Sequence, residues 1–199
     1  MCVKLPKIHL RRYSSNTEKI LLALNSVIGN YEKFVQIATE IPWFPVEEQH
    51  DDWFNTYPLG ICVDLVHFPK EYVETNFLEA FVRTALCAIA AADKWDKDFF
   101  ALSKEERKEC LCSERSKLLY AGIVNYNDLR LKICTEKYLR EEVNYYAGAN
   151  GISIEEQEKY LAHVKDATIL ELGWCYCGDF TYLVVKGDTL LLIDCGIWD

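Results

Sequence analysis

No stretch of this chain has the length and apolarity of a membrane span. The most apolar run, residues 77–92, is interrupted by Glu79 and Arg83, whereas a bilayer requires about twenty consecutive apolar residues. Bases are also scarce. Twenty-two Lys and Arg stand against 31 Asp and Glu, and the resulting net charge of −9 is repelled by phosphate backbones, so nucleic acid is not an expected partner. The one basic grouping, Lys7, Arg11 and Arg12, reads as a solvated terminal segment.

Catalytic signatures are missing as well. The sequence has no glycine-rich phosphate loop, G-x-S-x-G elbow, H-E-x-x-H pair or EF-hand loop. That removes the motif-based arguments for an enzyme without excluding one. C-x-x-C does not occur, the nine cysteines are odd in number, and the opening residues do not resemble a signal peptide. A reducing, cytoplasmic setting is therefore expected, with cysteine serving as a small buried hydrophobe. The two C-x-C pairs do not suit zinc. Cys110 and Cys112 would point about 200° apart on a helix. Cys175 and Cys177 would lie about 7 Å apart along a strand, too wide to share one ion. No cofactor is expected.

What remains is a globular composition. Half of the 199 residues are hydrophobic and 27% are charged, enough to bury a large core without disulfides and consistent with a single α+β domain over 1–199. Neither an internal repeat nor a low-complexity segment is present. Three capping boxes, Ser15/Glu18, Ser103/Glu106 and Ser153/Glu156, mark helix starts. The first opens a helix ended by Gly29-Asn30. Residues 31–40 fit a short helix or a strand. Helices are also predicted over 70–94, 104–120, 128–147 and 153–165. The 70–94 helix is the most apolar, with Glu79 and Arg83 four apart on its less apolar side. Together these give about six helices.

Three strand-like runs, 168–177, 180–186 and 189–197, follow, joined by Gly178-Asp179 and Gly187-Asp188. Each Gly-Asp pair suits a two-residue type II′ turn, so a three-stranded antiparallel meander is predicted. Residues 60–68, β-branched and stopped by Pro69, offer one further strand. Two-residue turns would place Cys177, Phe180 and Cys195 in one row, Cys175, Tyr182 and Ile193 in the next, and Glu171 opposite Lys186. Trp174, Leu183 and Leu192 would share the other face with Tyr176, Thr181 and Asp194. Both faces are apolar, so both need cover, by helices or by a second copy in a homo-oligomer. The 70–94 helix is expected on the Tyr182/Ile193 face.

Residues 41–57, bounded by prolines, read mostly as loop. The stretch 41–69 carries Glu47, Glu48, Asp51, Asp52 and Asp64 with no Lys or Arg before Lys70. Three interpretations are open. The plainest is that its aromatics cap the core while the acids face water. In the second, Trp43, Glu47, Glu48, Asp51, Asp52, Trp53, Phe54 and Tyr57 form a recognition loop for a basic protein partner, as in an immunity- or inhibitor-like protein, because aromatics supply anchors and carboxylates steer. In the third, His50, Asp51, Asp52, Asp64 and His67 form a divalent-metal or acid/base site of a hydrolase. Against the third, positions 64 and 67 fall on opposite faces of a regular strand.

Overall fold

The computed structural model describes residues 15–42, 44–56, 59–93, 99–124, 131–174 and 180–197. It begins with two helices. α1 (Ser15–Val27) buries Ile20, Leu21, Leu24 and Val27 and stops at Gly29, whose φ of 71° suits a residue without Cβ. α2 (Tyr31–Glu40) is a helix rather than a strand. Asn30 accepts a hydrogen bond from the Lys33 amide, and Phe34 and Ala38, four apart, both turn inward.

Two strands follow, β1 (Glu47–Thr56) and β2 (Leu59–His67). After them come the short α3 (Tyr72–Thr75) and the long α4 (Phe77–Asp93). The predicted 104–120 helix is broken at Cys112-Ser113 into α5 (Lys104–Leu111) and α6 (Glu114–Val124). Ser113 accepts from the Ser116 amide and so starts the second helix. β3 (Lys132–Cys134) occupies a segment expected to be helical, and α7 (Glu136–Ala149) starts only after the Thr135 cap. α8 (Ile154–Leu161) opens at Ser153 with the full capping box, as α5 does at Ser103. The Ser15 cap lies outside the described side chains.

The C-terminal strands β4 (Thr168–Trp174), β5 (Phe180–Lys186) and β6 (Thr189–Ile197) do not stand alone. They belong to a six-stranded antiparallel sheet in the order β1-β2-β6-β5-β4-β3, which corrects the expected three-stranded meander. The second turn is as predicted. Lys186 faces Thr189, Gly187 takes φ 56°, and Asp188 does not take a positive φ, the pattern of type II′. Asp188 also accepts from the Glu71 and Val73 amides, tying the turn to the start of α3.

The β4–β5 register differs from the two-residue expectation. Phe180 faces Trp174, not Cys177, and an irregularity between Glu171 and Gly173 sets Glu171 beside Tyr182. Glu171 therefore meets Lys132 of β3 at 3.0 Å, not Lys186. Residues 175–179, with Cys175, Tyr176, Cys177 and the Gly178-Asp179 turn, lie outside the described residues, as do Lys7, Arg11 and Arg12.

Helices of this chain cover both faces of the sheet. α4 packs Phe81, Val82, Ala85, Leu86 and Ile89 with Leu183, Leu190 and Leu192, in a cluster shared with α1, α2 and α6. That is the face opposite the one expected. Tyr182, Ile193 and Cys195 instead pack against α7 and α8 through Leu139, Val143, Tyr160 and Leu161. The aliphatic rows of Leu183, Leu190 and Leu192 accept the long apolar helix.

Candidate functional site

The acidic stretch expected as loop is the edge strand β1, hydrogen-bonded on one side to β2. Its side chains alternate between the two sheet faces. Glu48, His50 and Asp52 lie on the α4 side, and Gln49, Asp51 and Trp53 on the α8 side.

On the α4 side the register sets His50 opposite Asp64 and Asp52 opposite Cys62. The His50 ring lies between two carboxylates, with Nδ1 2.7 Å from Asp64 Oδ1 and Nε2 3.1 Å from Asp52 Oδ1. Both nitrogens donate when the ring is an imidazolium. The bonds to Asp52 and Asp64 outweigh its partial burial and push its pKa up to about 10. Asp64 is almost fully buried. Burial pushes its carboxyl upward, and the imidazolium pulls it back only in part. Burial, reinforced by Asp194 and Asp52, drives the Cys62 thiol far above its ordinary pKa.

One turn of strand earlier, Glu48 meets Arg83 of α4 at 3.1 Å. Arg83 is 4% exposed. Its Nη1 donates to the Phe44 carbonyl at 3.0 Å, and its guanidinium lies over Phe100 and Phe44, 3.9 and 4.9 Å from the ring centroids. Arg83 thus reaches across to β1, while Glu79, its expected helical partner, accepts from Tyr72. A single arginine within an apolar helix was the one signal in the sequence of a buried partner, since such a charge is costly without one.

On the α8 side, Tyr160 donates its hydroxyl to Asp51, and Trp53 meets the same ring edge-on at 5.7 Å. Trp53 is 8% exposed and belongs to the core. Trp43, Tyr57 and the side chain of Phe54 lie outside the described residues. Of the recognition set, Glu47, Glu48 and Asp52 are exposed and Asp51 is half-buried.

The residues of the metal reading divide three ways. His50, Asp52 and Asp64 converge, Asp51 is turned to Tyr160, and His67 bonds Thr189 at 2.9 Å with its ring 5.4 Å from that of His163. Among the described residues no three His, Cys, Asp or Glu side chains are disposed to hold a metal ion. His50, with a carboxylate on each nitrogen, has no lone pair free for a metal or for proton abstraction near neutrality.

β1 is thus fixed on both faces by side-chain anchors: Glu48 to Arg83, His50 to Asp64, Asp51 to Tyr160, and Trp53 in the core. Its outer edge is open among the described residues. Among the described residues, the main-chain groups of residues 47–51 that face away from β2 meet no other main chain. On the α4 side Glu48, Asp52 and Asp64 meet the two cations Arg83 and His50, and Glu47 and Asp51 add carboxylates on the other face, which leaves the edge negative. Among the described residues no helix is long and apolar enough to cross a membrane. No family model matches the chain, nor does any curated protein or solved structure.

Proposed function

We propose that this chain is a non-catalytic binding domain, immunity- or inhibitor-like, that takes a basic protein partner through the acidic edge of β1. The observation that carries this reading is an edge strand held rigid by anchors on both faces, with an outer side that is open among the described residues and an excess of carboxylates. A rigid surface loses little conformational freedom on binding, and clustered carboxylates steer a cationic partner from a distance. Trp53 supports the strand from beneath and is not a contact residue.

The test is capture from the protein's own cells by wild type and by the double variant Glu47→Lys, Asp51→Asn. The expected result is one basic protein, retained by wild type at low salt, weakened by added salt and lost with the variant. Equal recovery by both would sink the reading.

The hydrolase reading has one observation in its favour, the convergence of His50, Asp52 and Asp64. The doubly bonded imidazole weighs against it. A thermal-shift titration separates the two readings, because only a metal site would give stabilisation by Zn²⁺ or Mn²⁺ that disappears in His50→Gln.

A further inference from the structure

β1 has ten residues, and among the described residues only one of its two hydrogen-bonding sides is used. A long exposed edge is a template for pairing, and natural edges are protected by short length, charge or cover. The opposite edge, β3, is three residues long. β1 is not short, and residues 47–51 carry no main-chain cover among the described residues. Its protection is charge of one sign. That charge opposes a second copy, because antiparallel self-pairing centred on residue 49 would put Glu47 opposite Asp51, and centred on residue 50 would put Glu48 opposite Asp52. The same charge favours a strand of opposite sign.

The order of charges along β1 sets the pattern of such a strand. Two acids, Glu47 and Glu48, are followed by Gln49 and His50, then by two more acids, Asp51 and Asp52. A residue paired opposite a β1 residue shares its face of the sheet. Basic side chains opposite 47 and 48 and opposite 51 and 52 would meet carboxylates on both faces. Opposite His50, held between Asp52 and Asp64, another cation would meet a cation.

We infer that β1 takes an extended segment of a protein partner as a seventh strand, with two basic residues, two uncharged residues and two basic residues in register with 47–52. This rests on the proposed function and specifies its geometry. Main-chain bonds supply affinity and the alternating charges supply register, the division seen when a peptide adds to a sheet edge.

The probe is a capped, fluorescein-labelled peptide, Lys-Arg-Thr-Val-Lys-Arg, titrated with the whole chain at low ionic strength and read by anisotropy. Two isomers carry N-methyl groups on the odd or on the even amides. A strand on an edge turns only alternate amides toward its neighbour, so one isomer should bind within about twofold of the parent. The other should bind at least about tenfold more weakly, the scale of losing two or three main-chain hydrogen bonds. If both isomers bind alike but Glu47→Lys with Asp51→Asn weakens the parent, edge pairing is wrong and acidic recognition stands. A parent peptide that fails to bind, or that binds the double variant equally well, overturns both.

Discussion

His50 Nδ1 lies 2.7 Å from Asp64 Oδ1, and the two residues face each other across the β1–β2 ladder. The contact fastens the edge strand to a carboxylate that is almost fully buried. Removing the ring leaves that carboxylate without its cation, so His50→Ala should cost about 1–3 kcal/mol. Adding Asp64→Asn should recover part of the loss, because the orphaned charge is gone. Urea unfolding of the single and double variants checks this. A double variant weaker than the sum of its parts would contradict it.

The same cluster predicts a pH dependence. The folded-state pKa of His50 stands near 10, against an ordinary 6.5. The stabilisation from its bound proton is therefore complete below about pH 6.5 and is lost as pH rises through about 10. Urea midpoints should fall across that window in wild type and fall less in His50→Gln. Parallel profiles would show that the ring is not held as an imidazolium.

Trp53→Ala should destabilise the protein by about 3–5 kcal/mol, the range for truncating a buried aromatic ring. Trp53→Phe should cost less and leave peptide affinity at the edge unchanged. A folded Trp53→Phe variant that loses the peptide would return the ring to the binding surface.

Arg83 holds the Phe44 carbonyl and Glu48 together from within α4. Arg83→Met should cost about 1–3 kcal/mol, since the part-buried Phe44 carbonyl loses its donor. Arg83→Lys should restore little, because one ammonium lacks the planar fork that reaches both groups. Thermal or urea unfolding gives the comparison. Full rescue by lysine would mean that only charge matters there.

Thiol reactivity should follow burial. Cys112 is exposed, whereas burial raises the thiols of Cys62, Cys87 and Cys195 far above their ordinary pKa and that of Cys134 to about 11. Thiolate is the reactive form. Peptide-resolved alkylation of the native protein at neutral pH should label Cys112 well before these four. Early labelling of Cys195 would show that the α7–α8 side opens readily.

The sequence alone determined the elements whose signals are local. Ser103 and Ser153 cap their helices, Gly187-Asp188 turns β5 into β6, and the β-branched run around Val63 forms β2. Each is a preference of a few neighbouring dihedral angles and hydrogen bonds. The acids of 41–69 were visible, but not that they lie on a strand, because Glu, Gln and Asp carry little β-propensity and β1 is held by its ladder to β2 and by anchors elsewhere in the chain. Only the tertiary structure decided that Ile61 pairs with Cys195, that Arg83 answers Glu48, that Tyr160 receives Trp53 and Asp51, and that Glu171 faces Lys132. The β4–β5 register already departs from the turn-based expectation at Trp174, which faces Phe180, and the irregularity between Glu171 and Gly173 shifts it by one residue more. Such pairings join residues tens to more than a hundred positions apart, and no local pattern encodes which distant partner completes a ladder or neutralises a buried charge.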